Sequence, residues 1–199
     1  GSDYLGEPTP YDTDAWPSHS SVFGIFDLAS LPKDRFYLYR SLWNKKDHTL
    51  HILPHWNLKG QTGKKIPVYV YTDYPEVELF VNGVSQGRRR KLTRAEYESS
   101  TDSLALQRRY RLIWDEVEYQ PGEVKAVAYD KSGKEVAEKV IRTAGKPHHL
   151  VLTANRTSMK ANGEDLIYIT VQVADKNGNL VPTDTREVNF KVSGAGKFR

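Results

Sequence analysis

Glu76-Val77-Glu78-Leu79-Phe80-Val81-Asn82-Gly83 reads as a strand that runs straight into a hairpin turn. Val77, Leu79 and Val81 alternate with Glu76, Glu78 and Phe80, the period-two pattern of a strand with one buried face. Asn82-Gly83 follows at once. A two-residue hairpin loop needs positive φ at both central positions, and Asn-Gly is the pair that adopts it most readily. Outward from this hairpin, residues 49–56 and 66–72 are short runs rich in β-branched and aromatic side chains. On the other side Tyr110, Leu112 and Trp114 alternate, and residues 124–129 and 136–142 form two more runs. Repeated short strands with turn signals between them predict an immunoglobulin-like β-sandwich, with Leu79 and Trp114 in its core.

The flanks have a different texture. Gly6, Pro8, Pro10, Asp12, Asp14, Pro17 and Ser18 punctuate the beginning as loop. A helix is expected over residues 32–43. Pro32 suits its first position and Asp34 its positive N-terminal end, while Lys45 and Lys46 close it. Phe36, Tyr39 and Trp43 recur on one stripe, widened by Leu38 and Leu42. This helix is expected to dock on the middle sandwich, or on a second copy of the chain, through at least Trp43. Past Pro147, Ile167, Ile169, Val171 and Val173 share one strand face, and residues 187–192 read as another strand. Ala128-Tyr129-Asp130-Lys131-Ser132-Gly133 is echoed by Ala174-Asp175-Lys176-Asn177-Gly178, each ending a strand and turning into the next. A second sandwich is expected here, yet such a domain takes about 100 residues, so this zone reads as incomplete and both ends of the chain as cut. The expected division is 1–46, 47–145 and 146–199.

Composition excludes several functions. Cysteine is absent from the 199 residues, which removes disulfides, thiolate metal sites and a cysteine nucleophile. No apolar run approaches the length of a membrane-spanning helix, and no signal peptide is visible. Net charge is +4, but residues 88–111 alone hold eight Lys/Arg against three Asp/Glu. One cationic segment, with no aromatic alternating through Arg88-Arg89-Arg90-Lys91, reads as a solvated polar hairpin loop rather than a nucleic-acid groove, with contact to an anionic polysaccharide as the remaining alternative. His51 and His55 on a strand stand about 13 Å apart, too far to share a metal. His148 and His149 would point to opposite faces, so no metal site and no cofactor are expected. Of the four tryptophans, Trp43 and Trp114 lie at core spacing and Trp56 reads as packing between helix and sandwich. Trp16, in the Pro-rich loop, is the candidate platform for stacking a sugar.

Asp3-Tyr4-Leu5-Gly6-Glu7-Pro8-Thr9-Pro10-Tyr11 resembles the segment after the last barrel strand of glycoside hydrolase family 2 enzymes, especially Bacteroides-type β-galactosidases. The resemblance continues through Phe23-Gly24-Ile25, Asp27-Leu28-Ala29 and Pro32-Lys33-Asp34-Arg35. It runs on through Leu53-Pro54-His55-Trp56-Asn57, the Val77 to Gly83 hairpin and Arg142-Thr143-Ala144-Gly145. It implies a mainly β chain: a loop-helix remnant of a (β/α)8 barrel, an immunoglobulin-like sandwich, and part of a second, invasin/adhesin-type module. It further implies a retaining parent hydrolase whose acid/base and nucleophile glutamates lie upstream, so that no catalytic residue is present here and the piece alone is inactive. Asp3, Tyr4, Glu7 and Trp16 would lie near substrate in that parent; the plainer use of the first three is as polar loop over the barrel rim. The expected partners are the barrel and N-terminal domains, with a β-galactoside or related glycan as the parent's substrate. Self-association through the helix or half-domain is a further expectation, and the resemblance implies a periplasmic, secreted or cell-surface bacterial protein. The competing reading is a tandem immunoglobulin-like module that binds a carbohydrate or a surface.

Overall fold

The computed structural model describes residues 1–3 and 23–197, which separate into two units, Gly1–Arg142 and Thr143–Arg199.

In the first unit the hairpin forms as its sequence predicts. Strand β3 (Glu76–Val81) buries every second side chain. Asn82 and Gly83 take φ of 48° and 82°, and the chain returns as β4 (Val84–Arg90). Beside β3 on its other edge lies β6 (Glu123–Tyr129), and beyond it β7 (Glu135–Arg142), giving a four-stranded antiparallel sheet in the order β4-β3-β6-β7. A three-stranded sheet faces it: β1 (Leu50–Leu53), β2 (Lys65–Thr72) and β5 (Leu112–Glu118), in the order β1-β2-β5. Three strands against four make the seven-stranded sandwich expected of the immunoglobulin type.

Val68, Val70, Leu112, Trp114 and Val117 from one sheet meet Val77, Leu79, Val124, Ala126 and Ala128 from the other, all essentially removed from water. Trp56 belongs to this core rather than to a seam with the helix. It is 1% exposed, packs on Tyr119 at 4.8 Å and donates its indole N–H to the Gln120 carbonyl at 2.9 Å. An indole enters a core only when its N–H finds an acceptor. The turn at Asn82 is fastened to the start of β6: its Oδ1 accepts from Glu123 N–H at 2.7 Å and its amide reaches the Pro121 carbonyl at 3.3 Å. Gly122 sits beneath it with φ of 138°, and a Cβ there would lie 2.0 Å from Asn82 Oδ1. Only glycine fits.

The basic stretch is not a loop. Its first part is β4 itself, and the connection to β5 holds two short helices, α2 (Arg94–Glu98) and α3 (Ala105–Tyr110), which follow in the chain the longer α1 (Asp34–Trp43). Thr93 and Glu96 form a capping box at the start of α2, each side chain bonding the other's backbone N–H. Ion pairing across β3 and β4 turned a cationic run into a ladder strand: Arg88 faces Glu76 and Glu78.

The second unit holds one antiparallel pair, β8 (Pro147–Ala154) and β9 (Ile169–Asp175). The register slips between Pro147 and His149, and this bulge brings the rings of His148 and His149 together, with their Nδ1 atoms 3.2 Å apart, instead of on opposite faces. Ile167 precedes β9, and residues 187–192, expected as a strand, are not assigned as one. The echoed segments do fold alike. Asp130 and Asp175 each receive a backbone N–H from the residue four positions on and from the one two positions on, and Gly133 and Gly178 take φ of 82° and 83°.

Candidate functional site

Of the residues singled out beside substrate, Tyr4, Glu7 and Trp16 lie outside the described residues; Asp3 lies within them. Its backbone N–H donates to the Phe26 carbonyl at 2.8 Å, and Ile25 N–H donates to the Gly1 carbonyl at 2.9 Å. The first three residues are thereby laid alongside residues 24–26. The Asp3 carboxylate accepts from Gly24 N–H at 2.8 Å and pairs with the Lys33 ammonium. The Lys33 contact and the Gly24 N–H hold its carboxyl below the usual range. Both oxygens are engaged, so Asp3 is an ionised anchor for this segment and not a proton donor.

The same segment feeds α1. Asp27 Oδ1 accepts from the N–H groups of Ala29 and Leu31, closing a tight turn with Ser30 at φ of 63°, and Lys33 N–H donates to the Ile25 carbonyl. Helix α1 then docks on the outer side of the three-stranded sheet, as expected, but not through the expected stripe. The Tyr37 ring stacks on His51 at 3.9 Å, nearly parallel, and Asp34 Oδ1 lies 2.7 Å from His51 Nε2. Arg40 donates to the His48 carbonyl at 2.7 Å and to Thr49 Oγ1 at 2.8 Å, and Ser41 is buried. Asp73 holds the strand start from the other side, accepting from Thr49 N–H at 2.6 Å and meeting His48 Nδ1 at 2.6 Å. Burial pushes its carboxyl up, but those two bonds outweigh it and leave it low.

Trp43 points elsewhere. It is 72% exposed and, among the described residues, its ring stacks on Tyr39 at 4.7 Å. Leu28 and Leu31, in the turn before the helix, are also exposed. The physical reason is the polar clamp: Asp34, Tyr37, Arg40 and Ser41 recur on the face that meets His48, Thr49 and His51. This face is invisible to a search for apolar periodicity. Its signals were the His48 and His51 pair at the first strand and the aspartate that opens the helix. Of the apolar stripe, Phe36 packs on Phe26 at 4.9 Å and Leu38, Tyr39 and Leu42 are half-buried, so Trp43 alone is left exposed.

His51 and His55 do not converge: His51 is taken by Asp34, and His55 Nδ1 meets Asn57 N–H at 3.2 Å. Among the described residues no three His, Asp or Glu side chains are grouped as a metal site. Trp56 and Trp114 are too buried to stack a sugar. In the basic segment Arg89 and Arg108 share Asp115, Arg108 also holds Asp102, Arg90 grips Glu96 with two bonds, and Arg94 meets Glu98. Lys91 runs inward to the Thr72 carbonyl at 2.5 Å, and burial pulls its ammonium's pKa down. Most of the positive charge is thus spent inside the chain.

The comparisons with known proteins agree with this architecture. Residues 150–199 match the family described as "Glycoside hydrolase family 2 C-terminal domain 5", and residues 63–137 match a domain of unknown function, DUF4982. The chain is 47% identical over 197 residues to the β-galactosidase BoGH2A of Bacteroides ovatus, covering 98% of this chain and 21% of that protein. It is 30% identical over 179 residues to a β-glucuronidase of Formosa agariphila, covering 88% of this chain and 16% of the relative. Among solved structures, a β-glycosidase from Bacteroides vulgatus superposes with a TM-score of 0.74 at 39% identity, over 91% of this chain and 20% of the other. A glycosyl hydrolase family 2 member from Bacteroides cellulosilyticus does so with a TM-score of 0.73 at 30% identity, over 90% of this chain and 25% of the other. The chain spans about a fifth of the length of the curated β-galactosidase it matches. By these matches, and by the sandwich that carries them, the chain belongs to glycoside hydrolase family 2, to the C-terminal region of its members.

Proposed function

We propose that this chain is a non-catalytic, architectural part of a retaining glycosidase, and that the glycosidase is a β-galactosidase. One observation carries the architectural reading: helix α1 is clamped to the sandwich by its polar face and leaves Trp43 in water. Fully burying a large apolar side chain is worth about 1.5–3 kcal/mol, so an exposed tryptophan on an otherwise well-held helix marks a surface that another body covers. The resemblance of residues 1–46 to the end of a barrel makes that body the catalytic barrel. The sandwich then serves as a buttress that fixes the barrel's last helix from outside.

Chemistry supports the same division. Retaining glycoside hydrolysis needs two carboxyls about 5 Å apart, one to protonate the leaving oxygen and one to attack the anomeric carbon. Asp3 is locked to Lys33 and Gly24 and supplies neither. Its role in the whole enzyme is to anchor residues 1–3 against residues 24–26 and Lys33, a positioning role. The galactoside preference rests on the higher identity to a relative named as a β-galactosidase than to one named as a β-glucuronidase.

The test is hydrolysis of a panel of nitrophenyl glycosides by the 199-residue chain and by the whole protein that contains it. The chain alone is expected to give no turnover, and the whole protein to prefer the β-galactoside. Turnover by the purified chain that is lost in Asp3→Asn would overturn the architectural reading. A whole protein that prefers β-glucuronides would overturn the sugar assignment.

A further inference from the structure

Among the described residues, the basic segment contains one cation, Arg109, with a buried guanidinium nitrogen that meets no hydrogen-bond partner. Arg88, Arg89, Arg90, Arg94 and Arg108 each face a carboxylate, Lys91 bonds a carbonyl, and Arg111 bonds Gln107 and Tyr71. Arg109 makes no ion pair among the described residues, and its Nη1 is buried with no hydrogen-bond partner. Its guanidinium lies 5.8 Å from the Tyr97 ring and 5.7 Å from the Tyr110 ring. Tyr97 comes from α2 and Tyr110, itself exposed, ends α3, so both helices of the β4–β5 connection converge on this one charge.

An unmet charged donor is costly. Here only ring faces hold it, so turning the guanidinium toward an arriving anion breaks no hydrogen bond of its unmet nitrogen. A guanidinium offers two parallel N–H donors that match a carboxylate, and tyrosine rings give flat faces for the C–H side of a pyranose. The connection stands outside the strand ladders, where a rigid scaffold commonly presents binding groups. We propose that Tyr97, Arg109 and Tyr110 form a binding site for the carboxylate of a uronic acid residue in a glycan. That the ligand is a glycan rests on the glycosidase reading above; that it carries a carboxylate rests on Arg109.

Affinity electrophoresis of the 199-residue chain through gels containing polygalacturonate, uncharged galactan or polyglutamate tests this. The expected result is retardation by polygalacturonate alone, lost in Arg109→Gln and in Arg109→Lys, which keeps the charge but not the fork. Retardation should persist in Arg94→Gln, an exposed cation of the same connection that is paired with Glu98, with both Gln variants melting like the parent chain. Absence of retardation, retardation unchanged in Arg109→Gln, or equal retardation by polyglutamate overturns the proposal. Loss of glycoside turnover by the whole protein would instead overturn the glycosidase reading and leave the gel result standing.

Discussion

Asp175 accepts four hydrogen bonds: from the N–H groups of Gly145, Asn177 and Asn179 at 2.7, 2.9 and 2.9 Å, and from the Asn179 amide at 3.0 Å. These bonds, the Gly145 N–H foremost, pull its carboxyl down to about 2. A folded value below the unfolded one, near 3.9, means the ionised form stabilises the fold. That contribution is complete above about pH 4 and is lost as pH falls through about 2. Amide exchange at Gly145 and Asn179, corrected for intrinsic rate, should therefore accelerate between those values in the parent chain, whereas Asp175→Asn should show no such acid-dependent step. The turn was legible in the echo of Ala128 to Gly133 because an aspartate followed at short range by glycine is a local device, complete within a few residues. Leu79 was legible for the same reason, since its strand alternates and its turn is explicit. Being fully buried between the sheets, Leu79→Ala should cost about 2–5 kcal/mol in a denaturant melt. A change within about 0.5 kcal/mol, the size of an exposed substitution, would place it on the wrong face. His148 and His149 were misread because a bulge adds one residue that no side-chain pattern announces.

At the scale of elements, the strands of the sandwich were readable and the helix orientation was not. Apolar periodicity finds the greasy face of a helix, and the usual inference is that this face is the one docked. Helix α1 departs from it: a stacked Tyr37–His51 pair, the Asp34–His51 contact and Arg40 do the docking, while Trp43 at the end of the aromatic stripe stays exposed. Trp43→Ala should consequently leave the melting of the isolated chain within about 0.5 kcal/mol, as for other exposed positions. Tyr37→Ala should cost roughly 1 kcal/mol or more through the lost ring pair. The reverse ranking would show that the stripe, not the clamp, holds the helix. The β4–α2–α3 connection was hidden for another reason. Besides the pairs within the segment, its arginines are met by acids outside it, Glu76 and Glu78 at Arg88 and Asp115 at Arg89 and Arg108, so composition within the segment overstated its free charge. The Thr93–Glu96 capping box, by contrast, stood in the sequence as Thr-Arg-Ala-Glu; Thr93→Ala should loosen α2 by about 1 kcal/mol, read as faster amide exchange at Glu96.

At the scale of the molecule, a sandwich that clamps α1 with polar groups leaves Trp43 of that helix in water, the observation behind the proposal that a larger body covers it. The exposed Leu150, Leu152 and Ile169 of the second unit fit the same description, since a two-stranded ribbon alone is marginal in water. Family membership was legible almost from end to end because short motifs recur in order along the chain. Tyr4, Glu7 and Trp16, singled out on the family resemblance, lie outside the described residues. The central claim, that the catalytic barrel covers the outer face of α1, is tested most directly by hydroxyl-radical footprinting of the four tryptophans, read by mass spectrometry. In the 199-residue chain Trp43 should oxidise readily while Trp56 and Trp114 stay protected; in the whole protein Trp43 should fall to the level of those two. Trp43 oxidising equally fast in both would contradict the account.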